Sequence, residues 1–287
     1  MIRPEQRNRK TYLGIGKVVV IRKLILLALL ILVAITGCGG DEDPTAWLQD
    51  CRRAVEDHVR ASGYLHFVQE SGYVLGSEQV TFEQRIDVEG DIILPDREKY
   101  EYRETLRSSL QPDTESENSF SYLTLDGGSM AYVAGESLAA QLGVAGWVYY
   151  TPPEGQNRYF DYPELIVKLT STGEQVEWLG YEDVEGVRCV HVRYVVRGKA
   201  LLDMRIQEDP AFAEQYQGLD VGELLGELQV EMWIRESDRL PQRVSMDQSA
   251  PTDSGVASSN RMLFFFTAYS EEAPLGIEAP ASFTPAD

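Results

Sequence analysis

From Gly63 onward the apolar residues of this chain recur at every second position, and that periodicity decides what it can fold into. In QVTFEQRIDVEG (79–90), Val80, Phe82, Ile86 and Val88 point one way, while Thr81, Glu83, Arg85 and Asp87 point the other. A period of two belongs to a strand with one buried and one solvated face. Tyr64 to Gln69 is a strand on the same grounds. SYLTLDGGSMAYVA (121–134) reads as a hairpin turning at Asp126-Gly127-Gly128, residues 175–196 as a second through Glu185-Gly186, and residues 228–247 as a third. GWVYYT (146–151) and, as the last strand, RMLFFFTAYS (261–270) complete the set. The stretch after a turn at Gly90 is extended and bent at Pro95. The polar run Ser108 to Asn118 reads as a surface loop, Ser249 to Asn260 as another, and the tail from Ala273 as irregular.

Helical spacing appears in few places. Thr45 to Ala61 sets Trp47, Leu48, Cys51, Val55 and Val59 on one side, with Asp43 as N-cap and Pro44 at the start. DYPELIVKL (161–169) is a short helix, and Ala200 to Glu227 is a helical insertion broken by Pro210 and Gly218. Roughly ten antiparallel strands with segregated helices make an α+β layer architecture: one domain over 45–287 built on a curved antiparallel sheet.

The N-terminal region follows other rules. Leu24 to Ile35 is an apolar run preceded by Arg3, Arg7, Arg9, Lys10, Lys17, Arg22 and Lys23. This is the basic and apolar organisation of an export signal, and it is short of the roughly 20 apolar residues that a membrane-spanning helix needs. It ends at Ile35-Thr36-Gly37-Cys38, which resembles a bacterial lipobox. The resemblance implies cleavage after Gly37, so that residues 1–37 are a signal peptide, and a diacylglyceryl group on Cys38 Sγ. Two acyl chains give on the order of 20 kcal/mol of membrane affinity. An ordinary cleavable signal with an incidental cysteine and a retained membrane helix are the competing readings. Residues 38–44 would then be a lipidated tether that reaches about 20 Å when extended. That places the chain outside the cytoplasm, anchored to the bacterial cell membrane.

Charge narrows the partners. Residues 1–37 hold seven of the 26 basic residues and one of the 46 acidic ones, which leaves 19 against 45 and a net charge of −26. Such a chain repels nucleic acid and gains nothing from anionic headgroups.

Cys51 on the first helix and Cys189 on a strand both read as inward-facing. Outside the cytoplasm they are either a disulfide, the reading slightly favoured, or two separate buried thiols. The three histidines, His58, His66 and His191, are scattered. No HExxH, CxxC or GxSxG is present, so neither a metal site nor a nucleophile elbow has support, and no cofactor is implied. With so many carboxylates, pairs such as Glu182/Asp183 arise by chance. The chain does not read as an enzyme. What remains is apolar: Val80, Phe82, Ile86, Val88, Tyr122, Val190, Val192, Val230, Met232, Ile234, Phe264 and Phe266 are candidate lining residues of a cavity beneath the few helices, unless those helices fill it.

Three phrases carry a wider resemblance. Gly90 is followed by Pro95-Asp96-Arg97 and an alternating strand; WLGYEDVEGVRCVHVRYVV (178–196) is strand, glycine turn and strand; EMWIRESDRLPQRV (231–244) is an aromatic strand, a polar turn and a Leu-Pro strand. Together with the lipobox and the first helix they are similar to the LolA-like superfamily of half-barrel lipid carriers, which includes periplasmic lipoprotein carriers and receptors and mycobacterial-type envelope lipoproteins. The resemblance implies a half-barrel around helices and a hydrophobic cavity for a lipid or acylated molecule, bound or transferred. A non-catalytic sensor, or a module that binds an envelope protein, is the alternative on the same fold.

Overall fold

The computed structural model describes residues 43–287 except 77–79, 95, 137–142, 144, 153–161, 201–202, 204–225, 251–256, 271–275 and 286–287. The expected signal peptide, Cys38, most of the expected tether, Pro95 and most of the expected insertion near 200–227 therefore lie outside the described residues.

Among the described residues two helices, α1 (Pro44–Arg60) and α2 (Tyr162–Thr172), accompany twelve strands: β1 (Tyr64–Gly76), β2 (Thr81–Ile93), β3 (Arg97–Ser108), β4 (Gln111–Leu125), β5 (Met130–Ala134), β6 (Trp147–Tyr150), β7 (Glu174–Val184), β8 (Val187–Arg197), β9 (Glu227–Arg235), β10 (Pro241–Ala250), β11 (Ala257–Ser270) and β12 (Phe283–Pro285). All belong to one sheet in the order β12-β6-β5-β4-β3-β2-β1-β11-β10-β9-β8-β7. It is two meanders joined where β1 pairs with β11. Every pair is antiparallel except β12 with β6. The sheet stays open, with β12 and β7 as its edges, but it curls. Inward residues of strands far apart in the order, such as Tyr122 on β4 and Val192 on β8, join one apolar core with α1 and α2. The class is the α+β curled sheet expected from the alternation.

Four local expectations fail for physical reasons. Gly90 is not a turn. It lies within β2 opposite Tyr100, where a Cβ would stand 2.5 Å from Tyr100 Cβ and 2.6 Å from the Lys99 carbonyl. The missing side chain makes room for Tyr100 Cβ and the Lys99 carbonyl, and the reversal comes later, closed by the Asp96 N–H donating to the Ile93 carbonyl at 3.2 Å. The run Ser108 to Asn118 is not a loop but the tip of the β3–β4 hairpin. Both faces there meet water, so no apolar residue marks the strand. Cross-strand pairs such as Arg107–Glu115 (2.7 Å) and Arg103–Glu117 (3.5 Å) stand in for them. RMLFFFTAYS is not the last strand, because Phe283–Pro285 pairs in parallel with Trp147–Tyr149. With β12, and with the extended stretch after Gly90 counted as β3, the sheet has twelve strands rather than roughly ten.

Where turns were expected, they form. Asp126–Gly128 is a short 3-10 turn between β4 and β5. Glu185 and Gly186 turn with positive φ of 52° and 82°, as a two-residue hairpin demands.

Candidate functional site

The concave face is built from a few side-chain rows. α1 turns Trp47, Leu48, Cys51 and Val55 inward. α2 turns Tyr162, Pro163, Ile166 and Leu169 inward, and Gly173 follows it, where a Cβ would press within 2.8 Å of the Tyr194 ring. Of the twelve candidate lining residues, Val88, Tyr122, Val190, Val192, Val230, Met232, Ile234, Phe264 and Phe266 are buried together in this core, with Ile86 at its margin. Val80 is half-buried, and Phe82, on the same face of β2, is 49% exposed.

These residues pack mainly on each other. The apolar space left over is a slot at the seam between the helices and the sheet. Val55, His58 and Val59 of α1 line it, as do Tyr162, Pro163 and Ile166 of α2, Leu65, Leu94, Phe266 and Tyr269 of the sheet side, and Leu240-Pro241. Only Phe266 of the twelve candidates borders it. Its volume is about 20 Å³, room for roughly one water, whereas small-molecule pockets span about 300–1,000 Å³. The polar atoms of its lining are already engaged. The Tyr162 hydroxyl donates to Gln69 Oε1 (2.8 Å), the Tyr269 hydroxyl donates to the Pro241 carbonyl (2.6 Å), and His58 Nε2 lies 3.0 Å from the Tyr64 carbonyl. Burial first, then the Glu98 carboxylate, pushes the Tyr162 phenol up. Both phenols of the slot, Tyr162 and Tyr269, are held neutral by burial.

A larger concavity, about 840 Å³, lies elsewhere, along the outer face toward the strand tips. Arg85, Arg103, Arg107 and Arg261 line it beside Glu70, Glu83, Asp87 and Glu115. Each arginine is ion-paired: Arg85 to Asp87, Arg103 to Glu117, Arg107 to Glu115 and Arg261 to Asp247. A groove with self-compensated charge suits polar contact and offers an acyl chain nothing.

The expected Cys51–Cys189 bridge does not form. Both thiols are free and buried, and they sit on opposite faces of the sheet. Cys51 lies under α1, with Sγ 3.8 Å from Met232 Sδ. Cys189 packs with Val184 and Trp233 on the outer side. The reason is parity, since Val190, Val192 and Tyr194 take the inner face of β8 and leave Cys189 with the outward set. Burial pushes the Cys189 thiol up to about 11 and the Cys51 thiol up further.

His191 shares that outer face. It stacks on Trp233 at 4.1 Å, with Nε2 3.2 Å from Glu231 and Nδ1 3.4 Å from Glu182. Glu231 in turn accepts two hydrogen bonds from Arg193, at 2.9 and 2.7 Å. Burial holds the imidazole below its usual value against the pull of both carboxylates. His66 is bound separately to Asp91 at 2.9 Å. The structure thus keeps the three histidines in three places. Among the described residues no cluster of three or more His, Cys, Asp or Glu is placed to hold a metal ion, and no helix is long and apolar enough to cross a membrane.

Apart from Phe266, the slot's residues were not among the lining candidates read from the sequence. His58 follows Val55 at helical spacing and so belongs to the stripe already assigned to α1. Tyr162-Pro163 marks the start of α2. Leu94 comes from a turn and Leu240-Pro241 spans the very start of β10, where periodicity has not yet begun.

No family model and no curated protein matches the sequence. Among solved structures, LprF from Mycobacterium bovis is similar at 15% identity, with 83% of this chain and 97% of that one covered and a TM-score of 0.47. The Mycobacterium tuberculosis lipoprotein LppX is similar at 13% identity, with 83% and 100% covered and a TM-score of 0.41. A lipoprotein-sorting protein domain from Vibrio parahaemolyticus is similar at 8% identity, with 80% and 95% covered and a TM-score of 0.24. At these scores the overlaps carry no functional argument.

Proposed function

We propose that this chain is an extracytoplasmic lipoprotein, anchored to the bacterial cell membrane through a diacylglyceryl group on Cys38, that binds or transfers a lipid or acylated molecule on the concave face of its sheet. One observation supports this reading above the others. The concave face is apolar, and among the described residues α1 and α2 pack on it; their seam with β1 and β11 is an apolar slot whose rim hydroxyls are already hydrogen-bonded. A site of that kind recognises hydrocarbon without catalytic groups. Its present volume sets the condition: an acyl chain enters only if α1 and α2 draw away from Leu65, Phe266 and Tyr269.

The alternative is a non-catalytic sensor or protein-interaction module of the envelope. The small slot favours it, because a core that already fills its concavity needs no ligand. Native mass spectrometry of residues 39–287, exported and then extracted with organic solvent, separates the two. A labile adduct that yields an identifiable lipid supports the carrier. A clean mass that stays clean after incubation with envelope lipids overturns it and leaves the interaction module.

A further inference from the structure

Large apolar side chains that stand in water are not scattered over this molecule. Among the described residues there are seven, and five of them, Tyr73, Val74, Phe82, Leu106 and Leu110, lie at two neighbouring hairpin tips, β1–β2 and β3–β4. Single exposed apolar residues are ordinary, whereas a contiguous group marks a contact surface. The strand register makes this group contiguous. Leu75, Phe82 and Ser108 stand in one row across β1, β2 and β3, and Tyr73, Gln84 and Leu106 in the next.

The group wraps the end of the sheet instead of covering one side of it. Tyr73, Phe82 and Leu106 point inward and Val74 outward, while Leu110, the most exposed at 66%, sits in the β3–β4 turn. A protein partner laid on one face would leave Val74 or Phe82 wet. A medium that surrounds the tip covers both. The backbone at the apex suits an apolar medium as well, where an unpaired N–H is costly. The Ser109 N–H donates to the Thr81 carbonyl at 2.9 Å. In return the Thr81 N–H donates to Ser109 Oγ at 2.8 Å, and the Leu110 N–H donates to Ser108 Oγ at 3.3 Å. Both amides of the turn are thus paired within the protein, and the reciprocal Thr81–Ser109 bonds tie the two tips into one body. The arginines of the β3 end are also internally matched, Arg107 with Glu115 and Arg103 with Glu117.

We infer that the two tips form one wedge that enters the surface layer of a neutral lipid assembly, with Phe82 and Leu110 as its leading side chains. Neutrality follows from charge. By sequence the same hairpins hold Glu78 and Asp113, and residues 38–287 carry 45 acidic against 19 basic residues, so an anionic surface repels the wedge. The wedge is separate from the slot between α1 and α2. The inference does not depend on the concave face holding lipid.

The test is flotation with phosphatidylcholine vesicles of residues 39–287, which hold the whole described sheet and its core but no acyl anchor. The parent should float with the vesicles, and replacing half of the phosphatidylcholine by phosphatidylglycerol should weaken this. Phe82→Ser combined with Leu110→Ser should lower the partition coefficient about tenfold or more. Phe283→Ser, at an exposed ring on the edge strand β12, should leave it unchanged. Phe82→Trp keeps a ring at the tip, and its fluorescence should shift to the blue when vesicles are added. Three results would overturn the inference: a parent that stays in the buffer, a folded double variant that floats like the parent, or a dimer lost with the same two substitutions, which would assign the tips to a second copy.

Discussion

Two halves of the same strands, β1 to β4, can be set against each other. In the half beside the helices, Leu65, Phe67, Val88, Tyr100 and Tyr122 are all buried to 3% exposure or less. In the half toward the tips, Phe82 is 49%, Leu106 42% and Leu110 66% exposed. Phe82 and Leu106 share the inner face with the buried set, and the alternation does not change along the strand. What changes is the cover. Strands of thirteen residues, such as β1 and β2, run about 43 Å at 3.3 Å per residue. The helices have seventeen and eleven residues, which gives about 25 and 16 Å. Among the described residues the sheet outruns its two helices, so period two names a face without saying whether anything lies on it.

The largest expected effects belong to the covered half. Phe266→Ala and Met232→Ala delete side chains that are 1% and 0% exposed. Each should cost about 2–5 kcal/mol in urea unfolding. A loss below about 1 kcal/mol in both would mean that the concave face is loosely filled, and would favour a cavity larger than the slot.

A pair of glycines probes the same division through backbone crowding. Gly90→Ala puts a methyl group against Tyr100 Cβ and the Lys99 carbonyl, and overpacking of that kind costs about 1–3 kcal/mol. At Gly72, toward the tip of the adjoining strand, an added Cβ would meet nothing within 4 Å. Gly72→Ala should stay within about 0.5 kcal/mol of the parent. Equal effects at the two sites would erase the distinction between the halves.

How much of this could be read from the sequence follows the same line. Strand faces, α1, α2 and the glycine turns at 126–128 and 185–186 were legible, because each rests on local spacing or on a residue that tolerates positive φ. The bridge between Cys51 and Cys189 was misread although the parity of Cys189 against Val190 and Val192 already argued against a shared face. The β3–β4 tip was illegible, since a strand with water on both sides has no hydrophobic period. β12 and the slot were illegible for a different reason. Both are made by segments far apart in the chain: Pro285 beside Tyr149, and Leu240-Pro241 beside His58 of α1. Their residue types suit a loop equally well.

A smaller effect is expected from acid. The His191 imidazole is held below its ordinary value by burial, despite Glu231 and Glu182. The folded chain therefore takes up this proton less readily than the unfolded one. Its contribution to stability is complete above the unfolded value of about 6.5 and is lost as pH falls through the lower folded value. Urea midpoints should drop between pH 7 and 5.5, and His191→Gln should flatten that drop. A midpoint that rises on acidification in the parent but not in the variant would show that the two carboxylates outweigh burial.

The smallest effects are expected at the tips. Phe82→Ala removes a ring that is half in water, so little apolar area returns to solvent on unfolding, and the change should fall within about 0.5 kcal/mol. Arg107→Ala breaks an exposed pair with Glu115. It should cost less than about 1 kcal/mol at low salt and less still at 1 M salt, where the screening length falls to about 3 Å. Both substitutions leave the rows beneath α1 and α2 untouched, so they isolate the uncovered half. If Phe82→Ala instead costs as much as Met232→Ala, the tip ring is covered in solution, and helix length is not what divides these strands.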